Sequence, residues 1–168
     1  MKTRIAIYSV LGIAIIAVLF LRFHSPGFHD GYSVSTMQVR IIQSAIEQYE
    51  AAYSRLPFSR KDQDEQNNGE VIALLVPTSN KTTNPNQVVT NIVFLSLSSG
   101  QAPNGSFMDP WGHAYHITMD VSAKGTVSVG HNEIPGKIAV WSDGPNGLNE
   151  FGEGDDIASW KPPKFGHP

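Results

Sequence analysis

Ile5 to Leu21 is a run of seventeen residues without a charge, and its most polar members are Tyr8 and Ser9. A helix of that length rises about 25 Å, enough for a bilayer core when flanking residues snorkel. Arg22-Phe23-His24 follows, with no small-x-small cleavage site. The pattern therefore predicts an uncleaved transmembrane anchor over residues 1–23 rather than a signal peptide. Lys2 and Arg4 precede the run, so the N-terminus is expected in the cytoplasm and the rest of the chain outside it. That is the topology of a single-pass protein of the inner (cytoplasmic) membrane.

His24-Ser25-Pro26-Gly27 should break the helix, and residues 24–34 read as a linker. The period then changes. Val39, Ile42, Ile46, Tyr49 and Tyr53 recur at steps of three and four, which is one face of an amphipathic helix. Ser35 and Gln38 have capping-box spacing, so that helix should begin near Ser35. It should stop before Leu56-Pro57. Glu70 to Val76 reads as a short helix ended by Pro77, and Thr78 to Gln87 as a loop. Asn91 to Leu97, Tyr115 to Val121, Thr126 to Val129 and Lys137 to Trp141 are β-branched or apolar runs that predict strands. Ala123-Lys124-Gly125 suits a tight hairpin turn between the second and third of these. Residues 161–168 form a Pro-rich, extended tail. The fold class is therefore α+β. An N-terminal transmembrane helix is followed, over residues 35–160, by an amphipathic helix packed on a small antiparallel sheet.

Charge is distributed unevenly. Lys2, Arg4 and Arg22 flank the first apolar run, while from Asp30 onward fifteen acids face nine basic residues. An acidic exported domain lacks the basic footprint that nucleic acid requires. The chain has no cysteine, which removes disulfides, thiolate metal sites and thiol nucleophiles.

The acids concentrate at the end of the domain. Asp143, Glu150, Glu153, Asp155 and Asp156 fall in fourteen residues, and no Lys or Arg lies between Lys137 and Lys161. Asn146 and Asn149 add neutral oxygens. Gly144, Gly147, Gly152 and Gly154 let the backbone turn. Hard oxygen donors on such a loop suit Ca²⁺; without an ion the same segment is a solvated Gly/Asx turn. It is not an EF-hand, because the twelfth position from Asp143 is Gly154 and the sixth is Leu148.

Three motifs occur in order: Tyr53 with Arg55-Leu56-Pro57, then Asp109-Pro110-Trp111-Gly112-His113-Ala114-Tyr115, then Trp141-Ser142-Asp143-Gly144 running on to Asp156-Ile157-Ala158-Ser159-Trp160. With the amphipathic helix before them, they resemble the C-terminal domain of the major pseudopilin of type II secretion, over roughly Thr36 to Trp160. Pro110 and Gly112 give the second motif a turn with a mechanism, and Trp111 is expected to plug the core beneath the helix. The resemblance implies a non-enzymatic structural or assembly protein and a structural calcium in the final loop. Asp143 and Asp156 would be its side-chain ligands, and Asn146, Asn149 and Asp155 are further candidates. The implied partners are the membrane and other pseudopilins or secretion-machinery proteins. The N-terminus departs from the family pattern: the only glycine in the apolar run is Gly12, and the fifth residue after it is Ala17 rather than Glu. The alternative is a membrane-tethered extracytoplasmic binding module that does not polymerise.

Other constellations carry less. His113 and His116 have H-x-x-H spacing, but in a strand their rings point to opposite faces. Glu47 and Glu50 lie one helical turn apart, as on any solvated helix face. No serine sits in a G-x-S-x-G elbow, and no phosphate-binding glycine pattern occurs.

Overall fold

The computed structural model describes residues 27–58, 65–66, 68–76, 92–98 and 100–164. The apolar run 5–21, the Pro26 break, the loop 78–87 and the tail end 165–168 lie outside the described residues. The expectation of a transmembrane helix in front of the α+β domain is corrected. No helix among the described residues is long and apolar enough to cross a membrane. The longest, α1 (Gly27–Tyr53), is apolar on one stripe only and carries Asp30, Arg40, Glu47 and Glu50 along its length.

The remaining elements are β1 (Glu65–Gln66), α2 (Asn68–Leu75), β2 (His116–Met119), β3 (Thr126–Val129), β4 (Asn132–Pro135), β5 (Ile138–Ser142) and β6 (Ile157–Ala158). One sheet has the order β1-β2-β5-β6 with every neighbour antiparallel, and β3 and β4 form a separate hairpin. The periodic positions of α1 do what their spacing predicts. Val39, Ile42, Ile46 and Tyr49 are buried in the main core with Ile117, Met119, Ile138 and Val140 of the sheet, and Tyr53 packs at its edge.

β5 is buried along its whole length because both its faces are covered. Ile138 and Val140 face α1, while Ala139 and Trp141 belong to a second cluster with Val127 and Val129 of the β3–β4 hairpin. Alternate residues of a strand point to opposite faces, so α1 covers one side and the hairpin the other.

Three expectations differ from what is observed. α1 begins at Gly27, well before Ser35. Ser35 and Gln38 therefore sit inside the helix, buried, and face the Tyr115 hydroxyl, which lies 2.6 Å from Gln38 Oε1 and 3.2 Å from Ser35 Oγ. Burial raises the pKa of that phenol, Asp109 adds to the rise, and the hydrogen bond with Ser35 opposes it. Residues 92–98 form no strand. Leu95 instead donates one backbone bond to Leu75 at 3.1 Å and buries its side chain. Nor does Ala123-Lys124-Gly125 join two paired strands. β2 pairs with β5, and β3 turns back on β4 through Gly130-His131. The reason is Asp120. Its carboxylate accepts the backbone N–H of Ser122, Lys124 and Gly125 at 3.2, 3.0 and 2.6 Å, with Ala123 and Gly125 at positive φ. That cap bends the chain out of the sheet before a hairpin ladder can start.

Candidate metal centre

The Asp109 turn is built as a closed unit. Asp109 Oδ1 accepts the N–H of Trp111 at 3.0 Å and of His113 at 2.8 Å, and its Oδ2 accepts Ser142 Oγ–H at 2.6 Å. Pro110 and Gly112 (φ 93°) set the bend. Trp111 is half-buried, sits directly over Gly31 and meets Tyr32 edge-to-face at 5.4 Å. The turn thus fastens the start of the sheet to the first turns of α1. Every carboxylate oxygen of Asp109 is engaged in that fastening.

The loop between β5 and β6, residues 143–156, curls on itself. Glu153 N–H donates to Glu150 O at 3.1 Å, and Asp156 N–H to Glu153 O at 2.9 Å. Phe151, Gly152 and Gly154 all have positive φ. The curl brings one carboxylate oxygen from each of Glu150, Asp155 and Asp156 within 4.8 Å of one another. Asp156 is fully buried. Its Oδ2 accepts the N–H of Glu150 at 3.0 Å and of Gly152 at 2.8 Å. Its Oδ1 is buried with no hydrogen-bond partner. Burial pushes this carboxyl up to about 6. The two backbone donors oppose the rise, and the charges of Asp143 and Glu150 add to it.

An orphaned, buried carboxylate oxygen is costly, and a cation is what such an oxygen can bind. The donor set fits Ca²⁺: all three groups are hard carboxylates. The three oxygens are close enough to share one ion.

The expected ligands divide. Asp155 and Asp156 belong to the cluster. Asn146 touches it, because its amide nitrogen donates to Asp155 Oδ1 and its backbone N–H to Asp155 Oδ2 at 3.1 Å. Asp143 is engaged elsewhere, with Oδ1 2.8 Å from His116 Nε2. The His116 ring stacks on Trp141 at 4.7 Å, and its other nitrogen lies 3.9 Å from Glu65. Asn149 Oδ1 accepts the Trp141 indole N–H at 2.9 Å and Phe151 N–H at 3.0 Å. These two residues brace the base of the loop. Glu150 is the member of the carboxylate cluster that sequence reasoning missed. The available signal was the alternation of Gly152 and Gly154 with acids on both sides, which marks a chain that can fold back over five residues.

The glycines hold the cluster close. A Cβ on Gly144 (φ 64°) would strike the Asp155 backbone, and one on Gly154 (φ 48°) would strike the Glu150 carboxylate. His113 and His116 serve different neighbours: His113 lies beside Gly147 and 3.6 Å from Asp109, whereas His116 is held by Asp143. No protein-family model, curated protein or solved structure matches the chain.

Proposed function

We propose that residues 27–164 form a non-catalytic, pseudopilin-like structural module of a type II secretion apparatus, working outside the cytoplasm with Ca²⁺ in its final loop. The observation that carries this reading is the buried, partnerless Oδ1 of Asp156 within a three-carboxylate cluster. The likeness to the major pseudopilin supplies the biological frame. It rests on three motifs in order after the amphipathic helix: the Tyr53 to Pro57 corner, the Asp109-Pro110-Trp111-Gly112 turn, and the acidic loop running on to Trp160.

The polar groups support a structural role by what they already do. Asp109 closes a turn, Asp120 caps a connector, and Asp143 and His116 bond one another. Asn68 clasps two backbone segments: it accepts Phe107 N–H at 2.8 Å and donates to Tyr115 O at 2.6 Å. A weak extracellular-type calcium site, with Kd of about 10⁻⁴ to 10⁻³ M, suffices outside the cytoplasm.

Two measurements test the two halves of the proposal. Millimolar calcium should raise the melting temperature of the chelator-treated protein, and equal melting curves would remove the metal. The full chain should copurify from its native cells with other pseudopilins. Recovery without them under every extraction condition tried would remove the secretion assignment and leave an extracytoplasmic binding module.

A further inference from the structure

The chain after β6 does not simply leave the domain. Thr36 Oγ1–H, on α1, donates to Lys164 O at 3.1 Å, and the Arg40 guanidinium, one turn on, donates to Lys161 O at 3.4 Å. Lys161 Nζ meets Glu153 Oε2 at 2.7 Å. Lys164 Nζ donates to two backbone carbonyls of the acidic loop, Gly154 O at 2.8 Å and Asp156 O at 2.7 Å. Burial and the neighbouring Lys161 charge lower the pKa of that ammonium, and the charges of Asp155, Asp156 and Glu150 oppose the fall. Residues 161–164 therefore form a strap between α1 and the loop, pinned at the loop by a lysine.

We infer that Lys164 is a built-in counter-cation for the acidic cluster, and that its ammonium and a divalent ion exclude one another, so that filling the site frees the strap. The inference rests on the metal reading above and adds what the ion must displace. Three close carboxylates repel one another unless a positive charge lies beside them. Without metal, Lys164 supplies it. Ca²⁺ takes six to eight oxygens, more than three carboxylates offer singly, and the two carbonyls that Lys164 holds are of the required chemistry. An ion bound at Asp156 also sets two positive charges beside the ammonium. Either effect expels it. The strap then keeps the exposed Arg40 contact, the Thr36 bond, the Lys161–Glu153 pair and the Lys161 N–H bond to Ala158 O, each weak alone.

Lys164→Met keeps the aliphatic stem and the backbone carbonyl that Thr36 binds, but removes the charge. The full chain, stripped with chelator, is titrated with calcium chloride by calorimetry. Loss of the competing ammonium should tighten calcium binding about tenfold. Equal or weaker binding by Lys164→Met, with the parent chain binding normally, overturns the counter-cation and leaves the metal site standing. No binding by either chain removes the metal site and the inference with it. A second readout needs no variant. Acylation of Lys164 by an amine-reactive reagent, measured by mass spectrometry against the exposed Lys124, should speed up several-fold when calcium is added. An unchanged or slower rate means that the ammonium stays at the loop, and overturns the exclusion.

Discussion

Asp156→Asn should make the metal-free domain more stable and the calcium-loaded domain less stable than the parent. The side chain is fully buried, with two N–H donors on Oδ2 and none on Oδ1. Its carboxyl titrates at about 6, against 3.8 ordinarily. For an acid shifted upward, the folded state binds the proton more tightly than the unfolded state. The stabilisation by that proton is complete below pH 3.8 and is lost as pH rises through about 6. Above that, keeping Asp156 ionised costs the fold about 1–3 kcal/mol, the lower figure allowing for solvent at the outer face of the loop. Asparagine removes the cost. Its oxygen still accepts from Glu150 and Gly152, and its NH₂ replaces the orphaned oxygen beside two carboxylates.

Calcium reverses the ranking. At an ion concentration about a thousand times Kd the parent gains about 4.1 kcal/mol, more than the cost that asparagine removes, and the variant, lacking its central ligand, gains little. At about 2–4 °C per kcal/mol for a domain of this size, thermal melting at pH 7.5 should show the variant a few degrees above the parent in chelator and a few degrees below it in excess calcium. A variant that melts below the parent under both conditions would refute the reasoning. The buried carboxylate would then be a net stabiliser with no need of an ion.

Two further outcomes follow from the same structure. Gly152→Ala forces a side chain onto a residue at φ 84° whose Cβ would collide with the Trp160 ring; the variant should lose about 1–3 kcal/mol in urea unfolding, and calcium should recover little of it. At Asp120, burial works to raise the carboxyl pKa, but the N–H groups of Gly125, Lys124 and Ser122 and the Lys124 charge outweigh it and hold the pKa below its ordinary value. Its stabilising contribution is present above the unfolded value and lost as pH falls through the lower folded one. Acid unfolding of the parent should therefore be steeper than that of Asp120→Asn below about pH 4, and superimposable acid curves would count against the cap.

The parts of this fold that were legible in the sequence are those governed by one period. The face Val39-Ile42-Ile46-Tyr49 could be read directly, because a helix against a single sheet needs one stripe. Ser35 and Gln38 show where the reading goes astray. Two polar residues three apart share a helix face, and that spacing serves a capping box as well as a buried pair gripping the Tyr115 hydroxyl; only the tertiary partner decides. The run 91–97 has strand composition, but strand propensity expresses itself only where an edge is free to pair. β5 hid its alternation because both its faces are covered, one by α1 and one by a hairpin whose pairing Asp120 redirected. At the candidate centre, composition marked the loop but not the ligands. Asp143 looked like a ligand by position and is bonded to His116. Glu150 joined the carboxylate cluster through positive φ values at Phe151, Gly152 and Gly154, which no side-chain pattern announces.

The proposed ion would also answer a demand set by the strands that the loop joins. β5 and β6 are antiparallel neighbours held by only two residue pairs, Trp141 with Ala158 and Ser142 with Ile157. Between Ser142 and Ile157 stand fourteen residues, against the two to five usual for a hairpin loop. Closing such a loop costs about 2 kcal/mol above the constant term, and a ladder of two pairs returns little of it. Cross-links inside the loop must make up the difference. Trp141 to Asn149, Asp156 to Glu150 and Gly152, and Asn146 to Asp155 are three such links, and the last two leave carboxylates crowded together. A cation, whether Lys164 or a metal, makes that crowding attractive. It does so at the joint where β6 completes the sheet beneath α1, so what occupies the site should decide whether the end of the chain is fastened to α1 or released.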